Sequence, residues 1–285
     1  MARHLALLIP VVAVVGIALA GCGGGASGAT DGLSAQQILT QASAKTDQQS
    51  SYHVALTAKL SADVQPGALG GQVGALLTQP ISISGEGTVQ KPGQITVDLS
   101  TKLATAPLQV NITKIGDHLY MSVLGQAIEL MLPKGAVGSV DPSALPSSLA
   151  GWIVNPKIIG NEDVNGVPTV HIQGQVDPEA VTNDISTLAN SAGASGATAS
   201  STAAQAQTAL QRGVVDIWVG TDDLLIYGAN ADVALKGKVD AAPGVNALAL
   251  TLTMRLSAFG TRVDITAPVG ARKINLGQAS SLLGS

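Results

Sequence analysis

Apolar and polar residues alternate along most of the chain beyond residue 50. From Tyr52 to Val64 the even positions are Tyr52, Val54, Leu56, Ala58, Leu60, Ala62 and Val64, and the odd positions include His53, Thr57, Lys59, Ser61 and Asp63. A period of two sends successive side chains to opposite faces, so this run predicts a strand with one apolar and one wetted face. The pattern recurs through Ile81, Ile83 and Val89; through Ile95, Val97 and Leu99; through Leu108, Val110 and Ile112; and through Leu119, Met121 and Val123. It returns at Val170, Ile172 and Val176, and from Leu248 through Leu250, Leu252 and Met254 to Leu256. Further strands are expected at 214–220, 224–235 and 261–267. That makes about ten one-faced strands, which implies antiparallel pairing.

Helical periodicity is confined to three places. Ser34 can cap a helix over about 35–49, with Ile38, Leu39 and Ala42 on one face. A second helix is expected near 143–152. A third follows Asp177-Pro178-Glu179, with Asp177 as N-cap, Pro178 in the first turn and Val181, Ile185 and Leu188 on one face.

The first residues have another character. Arg3 and His4 precede an apolar run from Leu5 to Ala20, which ends in Leu19-Ala20-Gly21-Cys22. The run is short for a membrane span and suits the core of a signal peptide. Residues 1–21 are therefore expected to be a lipoprotein signal peptide, with Cys22 as the lipidated N-terminus of the mature chain. The lipid places the protein at a membrane surface outside the cytoplasm. Gly23 to Gly32 lacks periodicity and bulk, and reads as a flexible tether over 22–32. Residues 33–285 are expected to form one domain, interrupted by a low-complexity stretch at 190–209.

Composition narrows the chemistry. Fifteen Lys and Arg against nineteen Asp and Glu, with aromatics at 2%, exclude a nucleic-acid partner of the basic, stacking kind. A single cysteine excludes an internal disulfide. No Gly-x-Ser-x-Gly elbow and no metal-ligand spacing occur, so neither a catalytic residue nor a metal is expected and the chain reads as a non-enzyme. His53, His118 and His171 read as solvated surface residues, Asp222-Asp223 as turn chemistry, and Trp152 and Trp218 as core or interface anchors or, alternatively, as ligand contacts. The inward positions hold small aliphatics, with one Phe in the whole chain. Two arrangements satisfy that composition: a sandwich whose faces close on each other, or a curved sheet around a dry cavity that accepts hydrocarbon. In the second arrangement the lining is Leu56, Leu60, Ile83, Val97, Leu99, Val110, Ile112, Met121, Ile172, Leu250, Leu252 and Met254. The charge-free, Gly-rich loop at 66–77 is then either a gate, through Leu69, Val73, Leu76 and Leu77, or a loop packed on the core.

Several motifs carry a likeness. The lipobox at 19–22 is followed by a Gln- and Ala-rich helix. Ile115-Gly116-Asp117-His118-Leu119-Tyr120 forms a strand–turn–strand unit, and Asp163-Val164-Asn165-Gly166 leads into a strand ending Ile172-Gln173-Gly174. Ile217-Trp218-Val219 precedes Asp222-Asp223 and Leu224-Leu225. In this order the chain resembles the LppX/LprA/LprF/LprG lipoproteins of mycobacteria and related actinobacteria, and is similar to the LolA/LolB carriers. The resemblance implies an α+β fold: a single, strongly curved antiparallel half-barrel with helices over its concave apolar face. It implies a cargo of multi-acyl lipid or glycolipid, with no cofactor besides that lipid, and a membrane exporter as a partner. The other reading is a structural or adaptor lipoprotein that docks a membrane partner through its surface.

Overall fold

The computed structural model describes residues 28–64, 79–103, 106–123, 125–131, 145–180, 210–236 and 245–274. Twelve strands form one sheet in the order β12-β6-β5-β4-β3-β2-β1-β11-β10-β9-β8-β7. In chain order these are β1 (Ser51–Val64), β2 (Ile81–Gln90), β3 (Gln94–Leu103), β4 (Ala106–Ile115), β5 (His118–Val123), β6 (Gln126–Met131), β7 (Ile153–Val164), β8 (Val167–Val176), β9 (Leu210–Gly220), β10 (Ile226–Lys236), β11 (Val245–Ser257) and β12 (Arg272–Ile274). Every pairing is antiparallel except the short β12 beside β6. Two meanders, β1–β6 and β7–β11, are joined where β1 pairs with β11. Among the described residues β12 and β7 do not pair with each other, so the sheet is not closed.

The ladder registers carry the period-two pattern across the strands. Leu56 lies opposite Met254 and Leu60 opposite Leu250, so the even residues of β1 and β11 share a face. Glycines then bend the sheet toward that face. Gly87 faces the same way, opposite Val54. A Cβ on it would stand 2.2 Å from the Thr96 carbonyl oxygen, and one on Gly85 would stand 2.7 Å from Leu99 Cδ2. In a flat sheet a Cβ projects away from the neighbouring backbone, so this approach means that β3 rolls over the apolar face. Gly174 of β8 does the same at the other side, where its Cβ would meet Ile153 and the Val154 carbonyl.

Helix α1 (Ala35–Asp47) starts at a capping box: the Gln37 backbone N–H donates to Ser34 Oγ, and the Ser34 N–H donates to Gln37 Oε1. Its buried stripe of Ile38, Leu39 and Ala42 packs into the core with Leu149 and Ala150 of α2 (Leu145–Gly151). Thr46 Oγ1 accepts the buried Ile226 N–H at 3.0 Å, which fixes α1 to the start of β10. Among the described residues the main contacts of these two helices with the sheet are to β7, β9 and β10. No helix among the described residues is long and apolar enough to cross a membrane.

Some expectations need correction. Among the described residues twelve strands stand where about ten were expected. Three were not anticipated: β6, β7 and β12. In β7 the sequence Ile-Val-Asn-Pro-Lys-Ile-Ile-Gly lacks alternation because two register shifts interrupt the ladder and Asn155 turns to positive φ. Residues 261–267 alternate but form no strand. The Thr261 carbonyl accepts Ser51 Oγ and the Val263 N–H donates to Gln90 Oε1, so side chains take the place of a ladder. Residues 28–32, read as tether, are an ordered turn in which Thr30 is buried and its N–H donates to the Thr221 carbonyl. The third helix begins with Asp177 Oδ1 accepting the Glu179 and Ala180 N–H groups. Its continuation, the stretch 190–209, the loop 66–77 and Cys22 lie outside the described residues.

Candidate functional site

The site is built on the apolar face. By register, all twelve residues expected to line a cavity point to this one face. Ile83 pairs with Ala58, and Leu99 with Val110. Val97 pairs with Ile112, which pairs with Met121. Ile172 reaches Met254 through Ile217 and Ala229.

Their burial divides them. Ile172 and Met254 are fully buried in the packed core, with Tyr52, Val54, Val89, Ile95 and Leu256 around them. These residues and the helices make a floor at the end of the sheet where β2 turns into β3. Along each strand away from that floor the cover thins. On β11 exposure rises from 1% at Met254 to 36% at Leu250, and on β1 from 2% at Tyr52 to half-buried Leu56 and Leu60. Ile83, Val97, Leu99, Val110, Ile112, Met121 and Leu252 are likewise half-buried. A row of aliphatics with no polar atom is thus left partly open to solvent at the far end. The gate candidates Leu69, Val73, Leu76 and Leu77 lie outside the described residues. Leu99 and Val110 also border a concavity of about 660 Å³ with Asp98, Ser100, Gln109 and Asn111, so its lining is mixed rather than apolar.

The opposite face carries the polar chemistry. His171 Nδ1 lies 2.8 Å from Glu162 Oε1, and its Nε2 lies 2.8 Å from Asp216 Oδ1. A ring with hydrogen on both nitrogens donates to both carboxylates. Trp218 stacks on His171 at 4.6 Å between centroids, and its Nε1 donates to Glu162 Oε2 at 2.9 Å. The Arg255 guanidinium lies 4.9 Å above the same indole. Gly228 makes room for this stack, since a Cβ there would meet Arg255 and Trp218. The Trp218 and His171 hydrogen bonds hold the Glu162 carboxyl below its ordinary pKa, and burial lowers that of Arg255.

His171 is therefore not the solvated histidine expected, because its side chain is only 12% exposed. His118 keeps a side chain 40% exposed, and it meets Glu129 at 2.8 Å and stacks on Tyr120. The sequence shows neither pairing, since the partners stand 9 to 45 residues apart. Among the described residues every buried side-chain polar atom has a partner, and no cluster of His, Cys, Asp and Glu has the form of a metal site. Asp223 fills its turn role by accepting the Leu225 N–H and the Tyr227 hydroxyl. Burial and that carboxylate push the Tyr227 pKa up.

No family model matches the chain, and no curated protein matches it. Solved structures do. The chain is similar to LprF from Mycobacterium bovis at 18% identity and a TM-score of 0.49, over 83% of this chain and 97% of that one. It is similar to the lipoprotein LppX of Mycobacterium tuberculosis at 15% identity and a TM-score of 0.45, over 81% and 97%. A LolA superfamily protein from Nitrosomonas europaea follows at 12% identity and a TM-score of 0.28, over 81% and 95%. The structures to which this chain is similar thus include two of the lipoproteins that its motifs resemble.

Proposed function

We propose that this protein is a lipid-anchored carrier that shields the acyl chains of a lipid or glycolipid against the apolar face of its sheet. It works at the outer face of the cytoplasmic membrane, and its action is transfer by burial rather than catalysis. The observation that carries this reading is the half-open row of aliphatics on an inward-bent sheet, from Leu56 and Leu252 to Leu60 and Leu250. A folded monomer rarely leaves such a surface to water without a guest. Moving each methylene from water into apolar surroundings gains about 0.8 kcal/mol, so two acyl chains supply ample affinity. Release then depends on a change at the open end or on an accepting membrane or exporter.

The test is lipid mass spectrometry of the protein purified from an actinobacterial host. Multi-acyl lipid at one equivalent supports the carrier. Ile112→Trp, which projects a large ring from the same face, should lose that lipid while keeping the fold. A lipid-free protein whose stability detergent extraction leaves unchanged would overturn the reading and leave an adaptor that docks a partner.

A further inference from the structure

The proposed function ties the chain to a bilayer by its N-terminal end. We propose that the rim formed by edge strand β7, at Ile158 and Ile159, rests on the membrane that holds Cys22. The inference rests on the anchored reading above and adds the surface and the orientation.

Three observations carry it. The first is where the described chain begins. Gly28 is held in place: its N–H donates to Asp31 Oδ2, and Thr30, two residues on, is buried and donates to the Thr221 carbonyl. Gly28 and Ile158 border one groove, together with Asn161 and Thr221. The second is the length of chain left over. From Cys22 to Gly28 there are six peptide steps, which extended reach at most about 20 Å. The lipid therefore cannot sit far from this groove. The third is the surface found there. β7 is an edge of the sheet, and Ile158 and Ile159 on it are 47% and 53% exposed. Ile158 pairs with Ile172 of the apolar face and Ile159 sits at the register shift that follows it, so the two together give the rim an apolar, half-exposed surface that the headgroup region can cover.

Charge gives little help. Lys157 precedes the pair, but Glu162, Asp163 and Asp222 lie close by. The contact is therefore apolar and does not need anionic lipid. The open row at Leu60 and Leu250 lies at the other end of the sheet from the turn at Thr221. β11 and β1 stand fourth and fifth in the sheet from β7, so with β7 grounded the intervening strands hold the open row off the anchoring bilayer.

The experiment uses the full mature lipoprotein, lipidated at Cys22 and reconstituted in phosphatidylcholine vesicles. Single cysteines replace Ile159 and exposed Ser61, which lies near the far end of β1, and each carries an environment-sensitive fluorophore. Flotation with the vesicles establishes anchoring. The expected result is loss of iodide quenching and a blue shift at position 159, with full quenching at 61. Floating protein in which the label at 159 is quenched as in detergent-free solution would overturn the docking and leave the anchor standing. Protection at 61 instead of 159 would overturn the orientation. Failure to float would remove the anchored reading, and the inference with it.

Discussion

Gly87 and Thr96 approach so closely that a Cβ on the glycine would stand 2.2 Å from the threonine carbonyl oxygen. No rotamer change relieves a clash with backbone. Gly87→Ala must push β3 away from β2, and the expected cost is about 3 kcal/mol, at the upper end of overpacking penalties. Urea denaturation measures it. A stability unchanged from the parent would mean that the sheet is not bent at this pair.

Floor and open row should separate under truncation. Met254 is buried at 1% exposure, so Met254→Ala should cost about 2–5 kcal/mol. Leu250, at 36%, should cost less than about 1 kcal/mol on truncation. Lipid retention should reverse the order of importance, with Leu250→Ala weakening it while the fold holds. Equal effects of the two substitutions on both readouts would contradict the division.

Acid should loosen the polar face through Glu162. Its pKa lies below the ordinary 4.5 in the folded protein because Trp218 and then His171 hydrogen-bond to the carboxylate. The unfolded chain therefore takes up that proton first as pH falls. The stabilisation is complete above 4.5 and is lost as pH drops through the lowered folded value. The indole N–H resonance of Trp218 should shift over that window, and Glu162→Gln should abolish the shift. A resonance that titrates identically in the variant would assign the effect to another group.

The helix start offers a local test. Ser34→Ala removes the acceptor for the Gln37 N–H and should cost about 1 kcal/mol. Ser34→Asp, which keeps an acceptor, should recover most of it in the same thermal melt.

The sequence made one class of structure legible. In β1, which lies between β2 and β11 with one wet face, the alternation runs from Tyr52 to Val64 and its register face could be named in advance. Edge strands escape that logic. β7 has one neighbour, two register shifts and Pro156 in its run, so no period survives. Residues 261–267 show the converse, alternation without a partner strand. The aliphatic face was readable because it depends on parity alone. The His171 cluster was not, because its carboxylates come from β7 and β9 and only the β8 pairings bring them together. Nor does parity tell floor from open row: Met254 and Leu250 share a face and a strand, but only Met254 belongs to the packed core.

An unclosed sheet also has an elastic property. In a closed barrel the circumference is fixed by strand number and stagger. Here no ladder joins β12 to β7 among the described residues. The two rims can spread or draw together by small changes of twist shared over the whole row of strands, with every interstrand hydrogen bond kept. Girth becomes a soft coordinate rather than a built dimension. On the carrier function proposed above, a guest with one more acyl chain requires a wider arc of the same sheet, not a different protein.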